Sequence, residues 1–205
     1  MTGNPQRKTE LDVIEFCQHP DYPTGCESVA LYMLLEYYGV EVTPDQIIDL
    51  LPKGPQPYQD ASGVWHGGNP EREFVGDPRS SHSFGVFNAP IAQVAEHFLP
   101  GVRTVKDATV DDLLTILDAG SPILAWYLID PARSVVYRCH WLDEKGETVR
   151  WPGGEHAVVL CGHDDIHLFY RDPNTGKTGT VFIADFADGF AQLGGRIVYY
   201  PFGRR

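Results

Sequence analysis

Positive charge is in short supply: 16 Lys and Arg stand against 28 Asp and Glu, a formal net charge of −12 over 205 residues. A surface of that sign repels phosphate, which argues against nucleic acid or an anionic membrane as partner. No apolar run approaches the roughly 20 residues needed to cross a bilayer. The opening stretch from Met1 to Glu10 has no apolar centre of the secretory-signal kind, so a cytoplasmic protein is expected. Cysteine is sparse as well, at Cys17, Cys26, Cys139 and Cys161. A chain of this size with 42 % hydrophobic residues builds its own core, so free thiols are expected rather than disulfides. Neither a Cys-x-x-Cys pair nor a His-Glu-x-x-His helix occurs. The pairs Cys17-x-His19, Cys139-His140 and Cys161-x-His163 therefore read as ordinary strand residues, and no metal or cofactor is expected. Internal repeats and linkers are missing too, so residues 11–205 are expected to form one domain behind a disordered lead-in over 1–10.

What is present falls into two textures. Leu11–Cys17 reads as a short strand, followed by a turn-rich approach through His19-Pro20 and Pro23-Thr24-Gly25. The run from Cys26 to Tyr38 then has apolar residues at helical spacing over most of its surface, with Gly39 placed to cap it. A helix apolar all round is a buried one. Thr43-Pro44-Asp45-Gln46 is a capping box opening a helix to about residue 51. Residues 52–88 are rich in Pro, Gly and Ser and read as a long functional loop. Helices are predicted over 89–98 and over 110–118, the latter capped by Thr109. Beyond Pro122 the pattern predicts strands at 123–128, 135–140, 149–151, 156–162, 167–170, 180–183 and 196–200, with one short helix near 184–191. Helices first and an antiparallel sheet second predict an α+β fold.

Cys26 is the residue in this frame best placed for chemistry. A thiol at a helix start faces unpaired amides and a partial positive charge, both of which favour the thiolate. The plainer reading, a small buried apolar residue, suits Cys17 and Cys161 better. The base must be an imidazole held by a third group. Among eight histidines, His156 stands out, at the mouth of the apolar strand Ala157–Cys161 after Gly153-Gly154-Glu155. Asp172 ends the next strand, about as far from the turn at Asp164-Asp165 as His156 is, so the two can meet across the pair. Asp172 also precedes a proline, where aspartate commonly starts a turn. His163 and His167, nearer the turn, are weaker candidates. Trp65, His66, Phe74, Arg79, His82, Phe84 and Phe87 in the long loop, with Trp151 beyond it, are suited to walling a cleft. The alternative is a cover packed by its own aromatics.

Gln18, the stretch Pro23-Thr-Gly-Cys-Glu-Ser-Val-Ala-Leu31 and a helix ending Tyr-Tyr-Gly resemble the C39-like peptidases, relatives of the bacteriocin-processing domains of peptide exporters. The Gly76–Phe87, Glu155–Asp164 and Asp172–Gly176 runs extend the resemblance in order from about residue 13 to 176. It implies a papain-like fold, the nucleophile's helix packed on the C-terminal sheet. It also implies a Cys26-His156-Asp172 triad, with Gln18 and the Cys26 amide as oxyanion donors. The expected substrate is a peptide or small amide, bound by Trp65, His82, Phe84 and Trp151. A deamidase or acyl transferase using the same triad, and a peptide-binding member without catalysis, are the alternatives.

Overall fold

The helix that carries Cys26 is apolar on every side, and in the folded protein almost none of it meets water. A computed structural model describes residues 9–130 and 134–203. After β1 (Thr9–Glu10) comes this helix, α1 (Cys26–Tyr37), with Val29, Ala30, Leu31, Met33, Leu34 and Leu35 all fully buried. Each large aliphatic side chain so buried contributes about 1.5–3 kcal/mol. Gly39, at φ 75°, ends the helix in the left-handed conformation that glycine adopts without strain. Next is α2 (Pro44–Leu50), where Thr43 and Gln46 close both hydrogen bonds of the capping box.

Residues 52–88 are less structureless than their composition suggests. They contain β2 (Lys53–Gly54), β3 (Tyr58–Gln59), β4 (Trp65–His66) and β5 (Phe74–Val75). Beyond them lie α3 (Asn88–Phe98), β6 (Arg103–Val105), α4 (Val110–Asp118) and β7 (Ile123–Leu128). The chain continues through β8 (Val136–Leu142), β9 (Thr148–Gly153), β10 (Glu155–His163), β11 (His167–Asp172) and β12 (Lys177–Phe182). It finishes with α5 (Ile183–Gln192) and β13 (Ile197–Tyr199).

The main sheet runs β12-β11-β10-β7-β13-β6 with every pair antiparallel, and β1 adds to the end of β10. A smaller sheet joins β3, β4, β8 and β9, and β2 pairs with β5 in parallel. One face of β10 (Ala157, Val159, Cys161) packs on α1 and α3, the other (Val158, Leu160) on α4 and α5. The fold is α+β, with the Cys26 helix against the C-terminal antiparallel sheet.

Two expectations change. Thr9 and Glu10 pair with His163 and Gly162 rather than trailing off as lead-in; residues 1–8 lie outside the described residues. Leu11–Cys17 is not a strand, because it is tied by scattered bonds instead of a ladder. Leu11 N–H donates to Cys161, Val13 C=O accepts from buried Arg171 Nε at 2.7 Å, and Glu15 accepts from Thr178.

Candidate active site

Cys26 opens α1 next to Gly25, which is there for space. A Cβ on Gly25 would stand 2.9 Å from Tyr22 Cβ and 3.1 Å from Pro78 Cβ. The Cys26 N–H belongs to the first helical turn, whose amides have no acceptor within the helix. The thiol, which is 9 % exposed, faces the backbone N–H of Ala157 on β10 and donates to Glu27 Oε2 at 3.4 Å. Glu27, fully buried, accepts the Val86 N–H on its other oxygen at 2.8 Å. Glu155 brings a second carboxyl, and Sγ and one oxygen from each glutamate all lie within 4.8 Å of one another.

This environment opposes the helix start, which by itself favours the thiolate. Burial, then the charges of Glu27 and Glu155, push the Cys26 thiol well up, against the pull of the Ala157 N–H. Burial also lifts Glu27 to about 7 and holds Glu155 well above the usual carboxylate range.

His156 and Asp172 are in contact, Nε2 to Oδ1 at 2.7 Å, with both side chains largely shielded from solvent. The contact depends on a β-bulge. Strand β10 pairs Leu160 with Tyr170 but Gly162 with Phe169, so Cys161 is an extra residue. Extending the register beyond the bulge sets Asp172 against Val158, two residues from His156 and on its face. Without the bulge Asp172 would oppose Val159 and point to the other face. Burial raises the Asp172 pKa, but the His156 hydrogen bond and charge, the Asn174 N–H and the Thr175 hydroxyl outweigh it, and the net shift is downward. An ionised carboxylate only accepts, so the hydrogen bond is donated by His156 Nε2, and Nδ1 is the ring nitrogen left over to serve as a base.

Gln18 is stitched to the same turn. Its N–H donates to Pro173 C=O at 2.8 Å, and Gly176 leaves room for Cys17, since a Cβ there would meet Cys17 Cβ at 2.8 Å. The 4 % exposed Gln18 side chain gives one amide hydrogen to Pro23 C=O at 3.1 Å, which leaves the second N–H unspent. The structure thus joins His156 to Asp172 directly and Gln18 to that turn through the backbone. Cys26 reaches the same strand one residue on, its thiol against the Ala157 N–H and hydrogen-bonded to Glu27.

The expected cleft residues divide. Trp65, His82 and Phe84 line one cavity of about 570 Å³ with Arg138, His140 and Trp141. Trp151 is not on its wall: it is 7 % exposed, stacked on Phe87 and edge-on to Phe84, so it backs the pocket. Phe74 and Phe87 are core, Arg79 binds Asp45 and Asp49 of α2, and His66 binds Asp60. These four serve the self-packed cover. The weaker base candidates hold other partners, His163 with Asp118 at 2.9 Å and His167 with Asp164 at 3.1 Å. None of the four cysteines forms a disulfide. Glu27 and Glu155 were not anticipated, although a carboxylate in the first turn of a mostly apolar helix and another directly before His156 were visible signals.

Residues 10–198 match the Peptidase C39 like family. The chain is 27 % identical over 191 residues to the uncharacterized protein YvpB of Bacillus subtilis (strain 168), covering 92 % of this chain and 74 % of that one. Among solved structures, a protein from Bacillus anthracis, provisionally described as a C39-like peptidase, superposes with a TM-score of 0.82 at 26 % identity. That match covers 95 % of this chain and 98 % of the other. A double glycine motif protease from an AMS/PCAT transporter, solved with its leader peptide, shares the fold at a TM-score of 0.51 and 16 % identity, covering 95 % and 96 %.

Proposed function

Because the chain belongs to the Peptidase C39 like family, we propose that it is a cysteine-nucleophile hydrolase that cleaves a peptide or small amide with Cys26, His156, Asp172 and Gln18. The observation that carries this reading is the convergence at one strand mouth. The 2.7 Å His156–Asp172 contact, the Cys26 thiol against the Ala157 N–H and the Gln18 backbone bonded to Pro173 meet there from distant parts of the chain.

The steps follow from the groups present. Asp172 holds His156 with its proton on Nε2, so Nδ1 is the base. The thiol exchanges its hydrogen bond to Glu27 for one to Nδ1, gives up its proton and attacks the acyl carbon. Charge developing on the carbonyl oxygen is met by the spare Gln18 N–H and the Cys26 N–H. The imidazolium returns its proton to the leaving amine, and water, deprotonated by the same nitrogen, hydrolyses the thioester. The aromatic cavity of Trp65, His82 and Phe84, backed by Trp151, takes substrate side chains.

The test is a fluorogenic peptide and amide library assayed with the wild type and with Cys26→Ala. Turnover lost in the variant supports the reading. Turnover that survives Cys26→Ala, or none with any substrate and no acyl-enzyme mass on Cys26 with an acylating probe, refutes it.

A further inference from the structure

The carboxyls around Cys26 raise a problem that the proposed reaction does not solve. Glu27 is fully buried and uses Oε1 on the Val86 N–H and Oε2 on the thiol. Glu155 reaches the same point from β10, and its Oε1 is buried with no hydrogen-bond partner. Arg196 is the cation whose charge reaches Glu155. Its guanidinium is already committed: Nε to Leu193 C=O, and the terminal nitrogens to Glu71 and Asn88. Two acidic side chains and a thiol therefore converge, one acceptor oxygen buried and unmet, with the nearby guanidinium engaged elsewhere. A buried acceptor without a partner calls for a proton or a cation.

The donor set suits a particular cation. Sulfur and two carboxylate oxygens within 4.8 Å of one another can close, with small side-chain movements, on an ion that binds Cys at about 2.3 Å and Asp or Glu at about 2.0–2.2 Å. Calcium and magnesium want more oxygens and no sulfur. The Val86 N–H fixes Glu27 from behind, as outer-shell donors orient ligands in metal sites. Glu27 is fully buried, whereas Cys26 is 9 % exposed and Glu155 half-buried, so the site meets solvent on the Cys26 and Glu155 side.

We propose that Cys26, Glu27 and Glu155 form a three-ligand site for a thiophilic divalent cation, Zn²⁺ by chemistry, and that its occupancy silences the nucleophile. Binding forms a Zn–S bond and releases the Cys26 proton, with any carboxyl protons, to solvent; a water completes the tetrahedron, and nothing is oxidised or reduced. The silencing rests on the proposed role of Cys26; the binding does not. None of the cysteine–histidine pairs in the sequence points to this site, because its ligands come from one end of α1 and the far strand β10.

The experiment uses the whole chain and zinc or cobalt salts. Protein loaded with Zn²⁺ and freed of excess metal is expected to retain one ion per chain, and its Cys26 to alkylate at least tenfold more slowly. Co²⁺ is expected to give a thiolate-to-metal absorption band, absent in Cys26→Ser. Glu155→Gln should weaken retention at least tenfold, whereas His156→Ala should keep it. The proposal fails if the wild type retains no ion or gives no thiolate band. It fails equally if the metal survives Glu155→Gln or is lost in His156→Ala, which would mean the ion bridges thiol and imidazole. Circular dichroism checks each variant's fold. If Glu155→Gln does not fold, Glu27→Gln takes its place, and the wild-type band and alkylation rate decide without either. Metal retention alongside peptidase failure would refute only the proposed function.

Discussion

Strand β10 carries a buried histidine at each end, and each is paired with an aspartate. His156 meets Asp172 at 2.7 Å and His163 meets Asp118 at 2.9 Å. The pairs differ in what surrounds them. Asp172 is mostly shielded and takes two further donors from its own turn, while the Asp118 side chain is 58 % exposed at the end of α4. The thiol of α1 and the Gln18 segment stand at the first end; at the second, β1 lies over Gly162 and His163. A buried His–Asp pair is thus a common structural clasp, and only its neighbours make it a candidate for catalysis.

The most severe way to break the comparison is to remove each histidine in turn. His156→Ala should lower kcat by about 10²–10⁴-fold, measured on whichever library substrate the wild type cleaves. Gln18→Ala should cost about 10²–10³-fold in kcat with KM little changed, if its spare N–H serves the oxyanion. Asp172→Asn sharpens the contrast through pH. The folded Asp172 pKa lies below its ordinary value, so its pairing adds stability above the unfolded pKa of about 3.9 and loses it as pH falls through the folded value. The Tm gap between wild type and Asp172→Asn should therefore hold steady from neutral pH to about 5 and close below about 4. The smallest effect on turnover belongs to the far clasp. His163→Ala should leave activity within about twofold yet destabilise by about 1–3 kcal/mol in urea, because a buried hydrogen-bonded group is lost. If His163→Ala abolishes activity while His156→Ala does not, the roles given to the two ends are reversed.

Local chemistry was legible where local rules govern. The mostly apolar run after Cys26 announced a buried helix, Thr43 with Gln46 and Thr109 announced helix starts, and Pro, Gly and Asn marked the turns of the strand-rich half. Spacing about the Asp164 turn placed His156 and Asp172 near one another. The bulge that turns them to one face was not legible, because Cys161 reads as one more residue in an apolar strand. The 52–88 segment misled in part: its short strands pair with one another, and β4 also pairs at Leu142 with β8 far along the chain, which no periodicity within the segment encodes.

By itself the sequence determined the α+β order, the buried Cys26 helix and the candidate nucleophile, base, acid and amide. Each of these depends on neighbours a few residues away or on a motif carried whole. Tertiary structure alone decided the electrostatic surroundings of the candidate nucleophile. The helix start favours a thiolate, yet burial first, and then Glu27 beneath it and Glu155 from β10, push the Cys26 thiol upward. Coulomb interactions strengthen as the surroundings lose water, and which charges lose it together is known only once the chain has folded.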